Sequence, residues 1–389
     1  MRICLDARPV RGVTTGLGRY ALNLLRHLAL IDRENEYLVL RRPTVPGPLV
    51  VQENFREISV AYGIFSPHNI LAGAALINPL RADIYHTLYH FLPLGVRARQ
   101  VVCTLHDLIW VEHPALASAS RWYRWWKHTL VRPLAAHALH RADHLIASSE
   151  FTRQRTLAYY NLPAAKLSMV HLGVDPAFLQ DEPAAALPPD CQGREFIFTL
   201  GNTLPYKNTR RLISAFAALA ARYPRVCLLV AGRGDDFATL SQLSRQLGIA
   251  DQVVFARQLS DSQIRGCFAK ALFFAFPSLI EGFGLPLVEA MASGCPVLTS
   301  AVSSLAEVAG EAALLVDPNS VRSMTAGIAS LLDNGALRQK LAVEGRQRAA
   351  RFTWQACAAQ TLAIYQQLAG SPPGPAPQSG HSTNSGAAP

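Results

Sequence analysis

The segment Ser278–Gly294, SLIEGFGLPLVEAMASG, constrains the fold of this chain more than any other stretch. The apolar run Ala271–Pro277 before it reads as a buried strand. Pro286 suits the first position of a helix, because its φ is already fixed near the helical value. Gly294 suits the left-handed residue just past a helix end. The segment therefore predicts strand, tight turn and helix in immediate succession, the repeating unit of a parallel sheet covered by helices.

The same alternation runs through the chain. Strands are predicted over Arg2–Leu5, Tyr37–Leu40, Glu57–Val60, Ile84–His86, Gln100–Leu105, His144–Ala147 and Leu167–His171, with helices over Arg19–Leu30 and Ser118–His140. Ser148 or Ser149 is placed to cap the helix that follows His144–Ala147. A second series starts at Phe196–Leu200 and ends with the helices Val321–Asp333, Leu337–Arg351 and Trp354–Leu368. The three prolines of Gln180–Gly193 separate the two series. The expected organisation is an α/β chain of two Rossmann-like parallel-sheet domains, 1–180 and 195–352, facing an interdomain cleft. Residues 181–194 form the linker. A helix over 353–369 is expected to return toward the first domain, and the Pro/Gly/Ser-rich 370–389 to form a disordered tail.

Chemistry-bearing residues fall where such sheets bind ligands, beyond the carboxyl ends of strands. At the turn, the free amides and the dipole of the helix favour an anion, typically phosphate. Glu281 opens the turn and Glu289 follows after seven intervening residues. Two carboxylates beside an anion site suit a ligand rich in hydroxyls, and together these features suggest a nucleotide sugar. Two glutamates at this spacing alone are better read as a solvated helix residue, Glu289, and a capping carboxylate, Glu281; the GFGLP insert between them makes the pattern specific. Gly16 and Gly18 let the backbone approach a ligand, although the loop is too long for a dinucleotide fingerprint and a plain glycine turn fits as well. His106 closes the Gln100–Leu105 strand, and Lys207 sits at a helix start in GNTLPYKN, Gly201–Asn208. Each alone has an ordinary structural explanation.

EGFGLPLVEAMASGCPV resembles the signature of retaining glycosyltransferases of the GT-B fold, in the large family four (group 1) of that class. The GN…P.KN pattern of Gly201–Asn208, the pair His106–Asp107 and the GLGRY of Gly16–Tyr20 add to the resemblance, which spans nearly the whole chain. It implies transfer of a hexose from a nucleotide-diphosphate sugar to an acceptor hydroxyl with retention, without a metal or a bound cofactor. It implies that His106 contacts the donor sugar and that Lys207, Asn202 and the amides of Phe283, Gly284 and Leu285 hold the diphosphate. Glu281 would bind sugar hydroxyls and Glu289 the ribose, while Gly16 and Gly18 line the cleft opposite. Asp107 either orients His106 or caps its loop. Many relatives carry an arginine shortly before the lysine. Here the positions hold Asn202 and Tyr206, which leaves the second cation open among Arg19, Arg210 and Arg233. The GLGRY loop with the HDL sequence is similar to bacterial surface-polysaccharide enzymes, many of them mannosyltransferases using GDP-mannose. UDP-hexoses and dTDP-rhamnose stay open, as does another two-Rossmann enzyme, an epimerase or a phosphorylase.

Composition narrows the partners. A net charge of +10 fits anionic nucleotides, phosphorylated lipids or an anionic membrane face; no nucleic-acid motif is present. Arg121–Arg132, RWYRWWKHTLVR, is an aromatic and basic patch suited equally to a membrane surface, to a lipid-linked acceptor or to core packing. The seven cysteines are scattered without a CxxC pair and read as reduced. MRICLDARPV is not a signal peptide, and no run is long enough to span a membrane. The expected location is cytoplasmic, peripheral to the inner face of the plasma membrane at most.

Overall fold

The computed structural model describes residues 1–11, 15–117, 125, 129, 131–180, 187–202, 204–234 and 236–370. Residues 371–389 of the expected tail, residues 181–186 of the linker and most of Arg121–Arg132 lie outside the described residues, while Gly370 ends the last helix. A first sheet holds β1 (Arg2–Asp6), β2 (Glu36–Arg41), β3 (Phe55–Ser59), β4 (Ile84–Thr87), β5 (Gln100–Leu105), β6 (His144–Ala147) and β7 (Leu167–Met169). Their order is β3-β2-β1-β4-β5-β6-β7, and every pairing is parallel. A second parallel sheet holds β8 (Glu195–Asn202), β9 (Val226–Arg233), β10 (Val253–Arg257), β11 (Phe273–Phe276), β12 (Val297–Ser300) and β13 (Leu314–Val316), ordered β10-β9-β8-β11-β12-β13.

In each sheet the strand order reverses beside the first strand, next to β1 and next to β8. Loops leaving the two strands at such a point diverge and open a crevice. The chemistry-bearing loops follow from this. The Gly16 loop leaves β1, the His106 loop leaves β5, the Lys207 loop leaves β8 and the Glu281 turn leaves β11. Central strands are apolar on both faces: Ile3, Cys4, Leu5 and Phe273–Ala275 are all fully buried.

The Ser278–Gly294 segment folds largely as its residues dictate. The helix spans Leu285–Ala292, so Pro286 takes the second helical position rather than the first. Gly294 adopts φ +70°. Its amide bonds the Met291 carbonyl while the Cys295 amide bonds that of Ala290, the paired closure of a helix ended by glycine. One element differs outright. The apolar stretch that includes Ala72–Leu80 holds a helix over Pro67–Ile77, capped by the Ser66 hydroxyl, which accepts from the Asn69 amide. It is apolar nearly all round, so it carries little helical periodicity. The expected helix Ser118–His140 is described as a helix over Arg132–Arg141, with Pro133 in its first turn.

The chain crosses between the units twice, side by side. Val174 bridges Thr353, and its amide donates to the Phe352 carbonyl at 3.0 Å. A Cβ on Gly173 would overlap the Trp354 backbone, so only glycine allows the crossings to touch. Beyond them the helix Trp354–Gly370 packs on Gly16–Ile31 of the first unit. There the Tyr365 hydroxyl and His86 Nδ1 are 2.5 Å apart, and His86 Nε2 lies 2.8 Å from Thr104 Oγ1. None of the described helices is long and apolar enough to cross a membrane.

Candidate active site

Strand order brings Lys207 and Glu281 together, because β8 and β11 are neighbours. Lys207 ends a tight turn, Pro205–Lys207, and its Nζ donates to Glu281 Oε1 at 2.7 Å. Its ammonium lies 4.6 Å from the Phe276 ring centre and 5.1 Å from that of Tyr206. Burial would lower the lysine pKa, but Glu281 and weaker partners hold it above its ordinary value, so the ion pair is intact. Asn208 fixes the turn: at φ +61° its side-chain amide donates to the carbonyls of Pro277 and Pro318 at 3.0 and 2.7 Å. The sequence reading missed this role, although Asn is among the few residues suited to that conformation.

Glu289 lies in a cavity of about 490 Å³ between the units. Gly16 and Arg19 line it from the first unit, and Gly201, Arg233, Leu285 and Pro286 from the second. Arg19 spans the gap. One guanidinium nitrogen bonds Glu289 and the other bonds Asp261 at 2.7 Å. Burial raises the Glu289 pKa and Arg19 opposes the rise; burial would lower that of Arg19, but Glu289 and Asp261 hold it above its ordinary value. Of the three arginines left open by the sequence, Arg19 is thus engaged by carboxylates. Arg210 is not among the lining residues, and Arg233 lines the cavity at the end of β9 with no carboxylate partner among the described residues.

The two glycines of the first loop part company. Gly16 lines the cavity; Gly18 does not. The Gly18 amide donates to the Thr15 hydroxyl at 3.1 Å, and a Cβ there would stand 3.2 Å from the Pro9 carbonyl oxygen. Gly18 lets the helix start pack on the chain before it, which corrects its expected place at the cleft surface. Phe283 points its ring away from the cavity, against His171 and Phe352. Gly284 adopts φ +94° at the helix start. Asn202 ends β8, paired in register with Arg233; its side chain is outside the described residues.

His106 is partly buried, and its Nε2 lies 3.2 Å from the Leu88 carbonyl, which only accepts. The proton therefore sits on Nε2 and Nδ1 keeps its lone pair. Tyr20 and the imidazole pack in a T shape, ring centres 4.7 Å apart. Asp107 caps its own loop, accepting the Ile109 amide at 2.9 Å. Burial lowers the His106 pKa to about 4, and the fully buried His86 is lowered to about 3 by the same cause. An unfolded imidazole takes its proton near pH 6.5. The stability contributed by these neutral rings is therefore complete above pH 6.5 and lost progressively as the pH falls toward 4 for His106 and toward 3 for His86. Thermal unfolding midpoints are expected to fall across that window, and an NMR titration is expected to place His106 near 4. A His106 midpoint near 6.5 would contradict the burial.

The units also clasp each other directly. Gly282 runs against the first unit so closely that a Cβ would fall on the His106 carbonyl oxygen. Its own carbonyl accepts from the hydroxyls of Ser148, Ser149 and Thr152 at 3.0, 2.7 and 3.1 Å. Glu307 of the second unit accepts the amides of Glu150 and Phe151, both at 2.9 Å, at the start of the helix Glu150–Tyr160. Ser149 is the cap of that helix, as its position suggested. What the sequence did not reveal is that the same hydroxyls hold the donor-side turn.

Two family models cover most of the chain: Glycosyltransferase Family 4 over residues 14–178 and Glycosyl transferases group 1 over residues 189–348. The D-inositol 3-phosphate glycosyltransferase of Mycolicibacterium smegmatis is 30% identical, with 93% of this chain and 88% of that one aligned.

The chain belongs to the group 1 glycosyltransferases.

The O-antigen chain mannosyltransferase B of Escherichia coli is 27% identical to this glycosyltransferase over 95% of its length and the whole of the relative. A solved sucrose-phosphate synthase from Thermosynechococcus elongatus shares the fold, with a TM-score of 0.73 over 94% of this chain and 98% of that one at 23% identity. The GT-B architecture and a hexosyltransferase activity are thereby shown, and the epimerase and phosphorylase alternatives are not favoured. Among the described residues of this glycosyltransferase, no three His, Cys, Asp or Glu side chains cluster as metal ligands.

Proposed function

We propose that this glycosyltransferase moves mannose from GDP-mannose to a hydroxyl of a lipid-linked saccharide, with retention at the anomeric carbon and without a metal or a bound cofactor. The observation that carries the site assignment is the Lys207–Glu281 pair, 2.7 Å apart beside the Leu285–Ala292 helix start, with Glu289 in the adjoining cavity. The donor diphosphate lies at that helix start, where the amides of Gly284 and Leu285 face it. Lys207 neutralises it and Arg233 is the second cation. Glu281 accepts from hexose hydroxyls and Glu289 from the ribose. Neutral His106 contacts the sugar.

The bond between the anomeric carbon and the diphosphate oxygen breaks first, leaving an oxocarbenium-like sugar and an anionic leaving group. Charge stabilisation by fixed donors dominates such a step. The departing phosphate oxygen takes the proton of the acceptor hydroxyl as that oxygen bonds the same face of the sugar. The names of the relatives favour mannose, and the charge of +10 favours an anionic carrier at the cytoplasmic face of a membrane. A thermal-shift panel of GDP-mannose, UDP-glucose and dTDP-rhamnose tests the donor. GDP-mannose is expected to give the largest rise in midpoint; stabilisation by UDP-glucose alone would end the mannose reading.

A further inference from the structure

A second and larger chamber, of about 1100 Å³, opens on the first unit beside the cleft. One wall is carbon: Phe65, Ile70, Leu71, Tyr89, Phe91 and Leu94. Thr129, Val131 and Leu134 also line it. Leu204 and Tyr206, from the loop that carries Lys207, close it toward the second unit. Thr15 lines both this chamber and the donor cavity, which makes the two neighbours across one helix start.

Three features say what it takes. Leu71 is 74% exposed, Phe65 40% and Leu94 38%, a concentration of large apolar side chains around one opening that marks a binding surface. The volume exceeds the upper range of about 1,000 Å³ for ordinary small-molecule pockets, and the wall offers few partners for the hydroxyls of a bare saccharide. The charge is also lopsided. Residues 1–180 carry 20 Lys and Arg against 12 Asp and Glu, whereas residues 181–389 carry 17 against 15. Arg11 lines the chamber and has no carboxylate partner among the described residues.

We infer that this chamber holds the hydrocarbon chain of a phosphorylated lipid carrier, with Arg11 on its phosphate and its saccharide end directed past Thr15 into the cleft. The inference rests on the lipid-linked acceptor proposed above, and it assigns that acceptor a place. A chain seated here shields the exposed leucines and the phenylalanine from water and directs the sugar end toward the donor.

Farnesyl phosphate serves as the probe, with inorganic phosphate and farnesol as controls, in equilibrium dialysis against the full chain. Farnesyl phosphate is expected to bind, and a tenfold excess of inorganic phosphate not to displace it. Leu71→Asp, at an exposed position, is expected to weaken binding at least tenfold while leaving the thermal midpoint and the GDP-mannose shift unchanged. Arg11→Ala is expected to weaken farnesyl phosphate and to leave farnesol unaffected. Wild-type affinity in both Leu71→Asp and Phe65→Asp would overturn the proposal, as would full displacement by inorganic phosphate or no binding to the wild type. Binding that appears only after residues 371–389 are deleted would give the chamber to the chain's own end and overturn it equally. Because the readout is binding, loss of the lipid-linked acceptor reading would show separately, as a chain that binds farnesyl phosphate yet transfers to no lipid-linked saccharide.

Discussion

Lys207→Ala is expected to lower hexosyl transfer by about 10²–10³-fold or more, the usual loss when one preorganised charge-stabilising donor is removed. Lys207 is the cation fixed most firmly at the proposed diphosphate position, held on one side by Glu281 and on the other by the rings of Phe276 and Tyr206. Glu281→Ala is expected to be as damaging, because it removes the hexose contact and frees the lysine. Each single change leaves one buried charge without its partner, which destabilises by about 3–5 kcal/mol. The double variant Lys207→Met/Glu281→Gln separates the two effects. Its thermal midpoint is expected to return toward wild type while transfer stays abolished. A Lys207→Ala protein that turns over donor at near wild-type rates would remove Lys207 from the mechanism.

Arg19→Gln is expected to raise the KM for the donor about 10–100-fold near neutral pH, the range for losing a hydrogen bond that involves a charged group. The side chain bridges the units, and its guanidinium opposes the burial that pushes the Glu289 pKa up. Without it the Glu289 pKa rises further, and the protonated acid is a poorer acceptor for ribose hydroxyls. The sign of the pH effect follows. Raising the pH ionises Glu289 again, so the KM of the variant is expected to fall as the pH is raised, more steeply than that of the wild type. A KM defect independent of pH would show that Arg19 does not act through Glu289.

The strands and their connecting helices were legible because each is a short apolar run bounded by turn residues. Val321–Asp333 is found with the bounds its periodicity implies. Pro67–Ile77 was missed for the opposite reason: it is apolar nearly all round, and the Ser66–Pro67 start signal was the only cue. The loops that bear chemistry could be named from sequence, since strand ends and glycines mark them. Their pairings could not. That Lys207 meets Glu281 depends on β8 lying next to β11, and that Arg19 meets Glu289 depends on how two units dock. Asp261 illustrates the limit. In the sequence it opens a helix; in the structure it also shares Arg19 with Glu289. The three hydroxyls on the Gly282 carbonyl left one usable sign, an SSEFT run with more hydroxyls than a helix cap requires.

The return of Trp354–Gly370 to the first unit has a bearing on how the protein is made. Trp354 and Tyr365 are buried against residues synthesised some 300 positions earlier, including Tyr20 and His86. The ribosome therefore releases the first unit with the apolar side of Gly16–Ile31 uncovered, and that side stays uncovered until the last helix emerges. At about 5–20 residues per second, the wait while the second unit is translated lasts roughly 10–40 s. The amino-terminal unit begins first and finishes last, and an expressed fragment of residues 1–180 is incomplete by construction.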